Sequence, residues 1–418
     1  MIETERYANF TIGLYAGVSS ERIPVSGTIE VTNRCPLECV HCYNNLPMSD
    51  GSARRRELTT DDHKRVVDEL VELGCLWVTY SGGEVFARAD FLDIYLYAKQ
   101  KGLIVTIFTN GTLITERIAD FLAEYPPFVI EITLYGRTKA TYEGLTGIPG
   151  SFEKCLRGIR LLLDRKLPLK LKTVAISVNK HEVKAMKQFA EELGVEFKFD
   201  AMINPRIDCS ASPLAVRLTP PDIVAMDLDE PDRIAGWRSL AQLGPVAAPE
   251  GEAKLLYDCG GGTNSFAIDP YGNITICVIS HQDTYNVRDG SVGEGWNTFL
   301  AKVRQKRITR ITKCTTCPLT SMCGSCAANG ELENGDPEAP VDFLCRTAHL
   351  RAEIFGLEIR PHGDCEYCPG ASDRHVIEEM AEQVRNRNTH LDETMAALPE
   401  GVVAAGCGTG ACGSCSLH

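Results

Sequence analysis

The chain has no apolar run approaching the roughly 18 residues that a membrane span needs, so nothing in it reads as a transmembrane helix. Its N-terminus, MIETERYANF, lacks the basic-then-apolar layout of a secretion signal, and a cytoplasmic location is expected. Positive charge is in deficit: 43 Lys and Arg against 56 Asp and Glu give a net charge of −13. That deficit argues against a nucleic-acid binder, whose phosphate contacts need basic side chains in excess, and leaves a peptide or small molecule open. There is no internal repeat, and no low-complexity tract apart from the Gly- and Cys-rich end GCGTGACGSCSLH.

Cysteine is abundant, with 18 in 418 residues. In a reducing compartment, clustered thiols point to metal or redox chemistry rather than disulfides. Cys75 in VELGCLWVTY and Cys155 in SFEKCLRGIRLLL read as small apolar packing residues, and Cys209 falls in a loop without an assigned role. The other fifteen form three groups. These are Cys35, Cys39 and Cys42; then Cys259, Cys277, Cys314, Cys317, Cys323, Cys326 and Cys345; then Cys365, Cys368, Cys407, Cys412 and Cys415.

From about residue 27 to 203, short runs rich in Val, Ile and Thr alternate with segments whose apolar residues recur every three or four positions. Six such βα units imply a parallel sheet covered by helices, either a barrel-like arc or an open doubly wound sheet. The three-cysteine loop, SGGE (81–84), TNG and TLYG follow the carboxyl ends of successive strands, where a parallel barrel gathers its active site, and this favours the arc. The expected organisation is an N-terminal extension (1–26), a (β/α)6 core (27–203), a Pro-rich connector (204–256), a cysteine-rich domain (257–356) and a cysteine-containing tail (357–418).

In VTNRCPLECVHCYNN the three thiols have the spacing C-x3-C-x2-C. A structural zinc site wants four protein ligands, usually as two pairs. Three thiolates on one loop suit an iron–sulfur cube with one iron left free of protein, with zinc as the alternative. This motif, at the end of the first strand of βα repeats, closely resembles that of the radical S-adenosylmethionine superfamily. The resemblance implies a partial (β/α)6 TIM-like barrel whose Cys35, Cys39 and Cys42 hold three irons of a 4Fe–4S cluster, the fourth being chelated by S-adenosylmethionine. One electron from the cluster then cleaves the sulfonium to a 5′-deoxyadenosyl radical that takes hydrogen from substrate. It further implies cofactor contacts from His41, at a position often aromatic in the family, from Gly82, Gly83 and Glu84, from Asn110 in FTNGT and from Thr133 in ITLYG. A flavodoxin- or ferredoxin-type electron donor follows from the same likeness.

The second group reads C-x12-G-x4-C, then CTTCPLTSMCGSC, then a lone cysteine. Seven thiols can serve two clusters, with two zinc sites as the alternative. The layout resembles the SPASM domain, a small α+β extension carrying auxiliary iron–sulfur clusters, except that its last interval is two residues rather than three. The resemblance assigns Cys314, Cys317, Cys323 and Cys345 to an outer cluster and Cys259, Cys277 and Cys326 to an inner one. Sulfatase maturation is disfavoured, because Val278 stands where those enzymes carry an aspartate.

The resemblance points to a radical enzyme acting on a ribosomally made peptide or protein, by thioether or carbon–carbon cross-linking. The 26 residues before the first strand are too few for a leader-binding domain, so leader recognition would come from a separate protein or another surface. The alternatives are the same chemistry on a small metabolite, or a non-catalytic zinc or iron–sulfur module. The tail admits a further metal site, a redox relay, a loose end or a modifiable peptide.

Overall fold

The computed structural model describes residues 17–18, 20–242 and 253–388. The described residues form two compact units, one drawn from Tyr15–Arg217 with Gly261–Arg304 and the other from Leu218–Gly260 with Gln305–His418.

The first unit is built on six parallel strands: β1 (Ser26–Glu30), β2 (Trp77–Ser81), β3 (Ile104–Thr109), β4 (Val129–Thr133), β5 (Leu169–Val174) and β6 (Glu196–Asp200). Each strand pairs with the next in sequence, so the order is 1-2-3-4-5-6 without the reversal of a doubly wound sheet. All six expected strands are present, and the sequential order is that of the arc. Helices α1 (Thr60–Glu72), α2 (Phe91–Gln100), α3 (Glu116–Glu124), α4 (Lys139–Thr146), α5 (Ser151–Asp164) and α6 (Val183–Glu192) fill the connections. Local chemistry sets their starts. Thr59 caps α1 in a capping box with Asp62, and Thr115 and Thr138 cap α3 and α4.

Three further strands extend this sheet: β7 (Ser265–Ile268), β8 (Asn273–Thr275) and β9 (Tyr285–Asn286). β7 lies parallel to β1, in register from Ser26↔Ser265 to Ile29↔Ile268. The structure therefore divides the chain differently from the expected boundaries. Residues 261–304, expected in the cysteine-rich domain, belong with the barrel because backbone hydrogen bonding along β1 holds them there.

The second unit is mainly helical in its described part, with α7 (Pro220–Leu228), α8 (Ala327–Asn334), α9 (Asp342–Ile354) and α10 (Arg374–Arg387) among its elements. Val224, Leu228, Met322, Leu350, Ile377 and Val384 share its core. At its centre the fully buried Asp227 on α7 accepts from the Nε of Arg351 on α9 at 2.8 Å and from Arg233 at 2.8 Å. Burial alone would raise this carboxyl, but the two guanidiniums hold it below its ordinary range.

His63 begins the buried face of α1, followed by Val66, Val67 and Leu70 at helical spacing. Its Nε2 faces the Arg88 guanidinium at 3.3 Å and its buried Nδ1 has no hydrogen-bond partner. Burial, and then the charge of Arg88, lower the imidazole pKa from 6.5 to about 3. The unfolded chain therefore binds the extra proton first, and the stability of the neutral buried form is lost as pH falls from about 6.5 toward 3. The expected slope is at most about 1.4 kcal/mol per pH unit. Thermal unfolding at pH 7 and pH 5 should show a larger fall for the wild type than for His63→Gln; equal falls would exclude His63 as the titrating group.

Candidate functional site

The chain leaves β1 through Val31 and Thr32 into the three-cysteine loop. Residues Arg34–Cys35 and Leu46–Pro47 pair in parallel, and Leu46 N–H donates to Asn33 O at 2.7 Å, so the loop closes on itself. Inside it, Cys42 N–H turns back onto Cys39 O at 3.0 Å. Arg206 grips the far side through Cys42 O at 3.1 Å and through the Asn45 side chain and carbonyl at 2.9 and 3.0 Å. Cys35 is buried, and Cys39 and Cys42 are half-buried.

Burial pushes all three thiols above their ordinary range, aided for Cys35 by Glu84 and then Cys42, and for Cys39 by Cys42 and Cys35. Such thiols are neutral unless a cation holds them as thiolates, which is what cluster iron does. The three thiols share one closed loop and feel one another electrostatically, so they can ligate one cluster together while leaving one of its irons without a protein ligand. The donor set fits the cluster.

The SGGE turn explains itself at the backbone level. Gly82 has φ +127°, and a Cβ there would lie 2.2 Å from Thr32 O. A Cβ on Gly83 would lie 2.5 and 2.6 Å from the carbonyl oxygens of Asn33 and Arg34. The turn thus abuts the strand extension that ends at Cys35, with Gly83 N–H donating to Thr32 O (2.6 Å) and Glu84 N–H to Arg34 O (3.1 Å). The buried Glu84 carboxylate accepts from Thr109 Oγ1 at 2.7 Å and from Asn110 N–H at 2.8 Å, which ties the ends of β2 and β3 together. Burial raises its pKa to about 7 against those bonds. Asn110 in turn directs its Nδ2–H to Cys35 Sγ at 3.5 Å.

His41 packs against Tyr135, with ring centroids 5.5 Å apart, and burial lowers its pKa to about 4, leaving the imidazole neutral. Its Nδ1 is enclosed without a hydrogen-bond partner, an orphaned polar atom beside the loop. Thr133 ends β4 beside Lys172 of β5. The structure thus places Gly82, Gly83, Glu84 and Asn110 against the Cys35 end of the loop.

Several residues of the site carried no assigned role in the sequence. Glu57 accepts two hydrogen bonds from Arg34, at 2.8 and 3.0 Å, and one from Thr32 Oγ1 at 2.5 Å, all buried. Glu30, the last residue of β1, accepts from Tyr43 Oη and Asn44 Nδ2 at 2.7 Å each and is pushed by burial to about 7. Glu131 and Lys172, on β4 and β5, are buried and Lys198 on β6 is half-buried; they form a chain with contacts of 3.2 and 3.0 Å. The Lys172 ammonium sits 3.0 Å from the Phe108 ring centroid, and burial drops its pKa to about 7. Glu131 is the one charge in VIEIT, whereas Lys172 and Lys198 sit in strands with other charges, LKLKTV and EFKFD, and carry no distinct sequence signal.

In the second unit, Cys314 and Cys317 sit on one turn, Cys323 ends a short helix, Cys326 precedes α8 and Cys345 lies on α9. After burial, Cys314 and Cys323 raise Cys317 electrostatically; a hydrogen bond to Cys365 and burial raise Cys345, with Cys323 adding to it. Cys314, Cys317, Cys323 and Cys345 are therefore neighbours. Cys277 follows β8 in the first unit, whereas Cys259 and Cys326 belong to the second. Cys75 and Cys155 are buried packing residues, as read, and Cys209 is exposed with φ +64°. Cys407, Cys412 and Cys415 lie outside the described residues.

Comparisons with known proteins agree with this geometry. The family model described as the radical SAM superfamily matches residues 29–190. The AdoMet-dependent heme synthase of Methanosarcina barkeri is 34% identical over 165 residues, which span 40% of this chain and 46% of that protein. The PqqA peptide cyclase of Gluconobacter oxydans is 31% identical over 294 residues, covering 66% of this chain and 76% of the cyclase. Among solved structures, Streptococcus suis SuiB bound to its precursor peptide SuiA superposes with a TM-score of 0.61 at 17% identity, over 81% of this chain and 80% of that one. At that identity the likeness shows the fold.

The glycine turn generates a direct test. Gly83→Ala drives a Cβ into two carbonyl oxygens and should lower stability by about 1–3 kcal/mol. Gly144→Ala, at an exposed position of α4 with nothing within 4 Å of the added carbon, should be neutral or stabilise by about 0.5–1 kcal/mol. Thermal unfolding midpoints that move together would refute the close-approach role of Gly83.

Proposed function

The chain belongs to the radical S-adenosylmethionine superfamily, and on that premise we propose that it abstracts hydrogen from a ribosomally made peptide or protein and leaves an oxidative cross-link, a thioether or a carbon–carbon bond. The observation that carries the reading is the closed loop of three thiols braced by the SGGE turn. Cys35, Cys39 and Cys42 would hold the cluster, whose chemistry with S-adenosylmethionine is one-electron cleavage to a 5′-deoxyadenosyl radical. Around it, the chain's own residues position and exclude. Asn110 donates toward Cys35 Sγ, Glu84 ties β2 to β3 beneath the loop, and the neutral His41 ring packs against Tyr135 at a tilt of 57°. Enclosure of these groups protects a radical from side reactions.

A peptide substrate is supported by the likeness to a protein named as a peptide cyclase, which runs well beyond the family core. A separate leader-binding protein and a flavodoxin- or ferredoxin-type donor complete the proposal, as does a cytoplasmic location; no helix among the described residues is long and apolar enough to cross a membrane. The auxiliary thiols would hold clusters that accept the electron released on bond formation. A second reading, the same chemistry on a small molecule, is favoured by the likeness to a heme synthase.

Anaerobically reconstituted, dithionite-reduced protein should form 5′-deoxyadenosine from S-adenosylmethionine, and Cys42→Ala should form none above background. A peptide encoded beside the gene should then lose two hydrogens per bond formed. Wild-type protein with a full iron and sulfide complement that cleaves no S-adenosylmethionine, with or without peptides, would overturn the radical reading. Cleavage coupled to a porphyrin and to no peptide would select the second reading.

A further inference from the structure

Four side chains in the second unit meet without belonging to the cysteine pattern of the auxiliary clusters. His349 lies on α9, and His362, Cys365 and Cys368 lie on the segment between α9 and α10. All four are buried, and one ligand atom from each lies within 4.8 Å of every other. We propose that His349, His362, Cys365 and Cys368 bind a single zinc ion, as a structural site with its own ligands that adjoins the outer thiol group where Cys365 meets Cys345.

The distances suit one ion. Zinc with Zn–S of about 2.3 Å and Zn–N of about 2.0–2.1 Å in a tetrahedron sets its nitrogen and sulfur ligands about 3.6 Å apart. His349 Nε2 is 3.5 Å from Cys365 Sγ, and His362 Nε2 is 4.0 Å from Cys368 Sγ. Ligands of a cube, each on its own iron, would not crowd together in this way.

The hydrogen bonds around the set orient the imidazoles. His349 Nδ1 lies 2.9 Å from the carbonyl of Cys345, one turn earlier on the same helix. A carbonyl only accepts, so Nδ1 carries the proton and Nε2 presents its lone pair to the thiols. His362 is placed differently: its Nδ1 lies 3.0 Å from Arg360 O and 3.2 Å from Cys368 Sγ, and its Nε2 lies 4.0 Å from the same sulfur, so the ring edge faces the knuckle. Cys365 and Cys368 form a two-residue knuckle, with Cys368 N–H turned onto Cys365 O at 3.4 Å and Gly363 supplying φ +46° just before it. The charge balance is also apt. Two thiolates and two neutral imidazoles around Zn²⁺ sum to zero, and a neutral complex is far less costly to bury than an ion.

Such a site would fasten the segment after α9 back onto α9, one turn from Cys345. Zinc here acts as a positioning device for the helix that carries a thiol of the outer group, and takes no part in electron transfer.

The test uses the full chain, grown with zinc, purified anaerobically without chelators and reconstituted until iron and sulfide no longer rise, so that cluster thiols are occupied. Elemental analysis should find about one zinc per chain. The double variant His362→Ala/Cys368→Ser should lose at least about tenfold of that zinc while iron and labile sulfide stay at the wild-type level. Wild type without zinc, or a variant that loses iron and keeps zinc, would overturn the proposal. If the variant does not fold, zinc K-edge absorption of the wild type decides. Two sulfur and two nitrogen neighbours support the site, and an all-sulfur shell, as from the three tail cysteines, overturns it.

Discussion

The front of the first unit depends on one buried carboxylate. Glu57 takes both forks of Arg34 and the hydroxyl of Thr32, and Arg88 stands 3.9 Å away while holding Val31 O, Leu58 O and Asp90. The two guanidiniums and Glu57 are at most 7% exposed in their side chains. Removing a charge from such a set leaves its partner buried and uncompensated, a penalty of roughly 3–5 kcal/mol. What the set fixes is the path of residues 31–35, which accept the SGGE turn on one side and deliver Cys35 on the other. The glycine turn, Glu84 and Asn110 then fall into place around that path.

Burial gives the site a common electrostatic character. Glu30 and Glu84 are raised to about 7, Lys172 is lowered to about 7 and His41 to about 4, each chiefly by loss of water. Carboxyls and bases alike are pushed toward neutrality. The loop thiols are raised by burial too, so the surroundings supply little positive charge of their own to hold thiolates. Cluster iron answers that need, which is why the donor set reads as a metal site rather than a nucleophile.

Much of the core was legible because its signals are local. Strand and helix periods mark the six βα units, Thr59 announces α1, and the C-x3-C-x2-C and SGGE runs stand out by spacing. What escaped depends on partners far apart in sequence. The pairing of β7 with β1 joins residues more than two hundred positions apart, and nothing in SFAI names its neighbour. Glu57 and Arg34 look like ordinary surface charges until the fold encloses them. Cys365 and Cys368 were visible as a knuckle, but His349 was hidden in an amphipathic helix, where an imidazole one turn after Cys345 signals nothing by itself. Glu131 and Lys172 hid in the same way within strands.

The pairing of β7 along β1 bears on the order in which the protein is made. A strand at a sheet border presents unsatisfied N–H and C=O groups that recruit other chains. β1 is that border of the six-stranded core, and it leads into the cysteine loop. On the ribosome its outer side stays bare until translation has reached Ser265, long after the sixth strand has emerged. The nascent barrel therefore passes through a stage in which the edge beside its three thiols is unpaired, and the later segment closes that window.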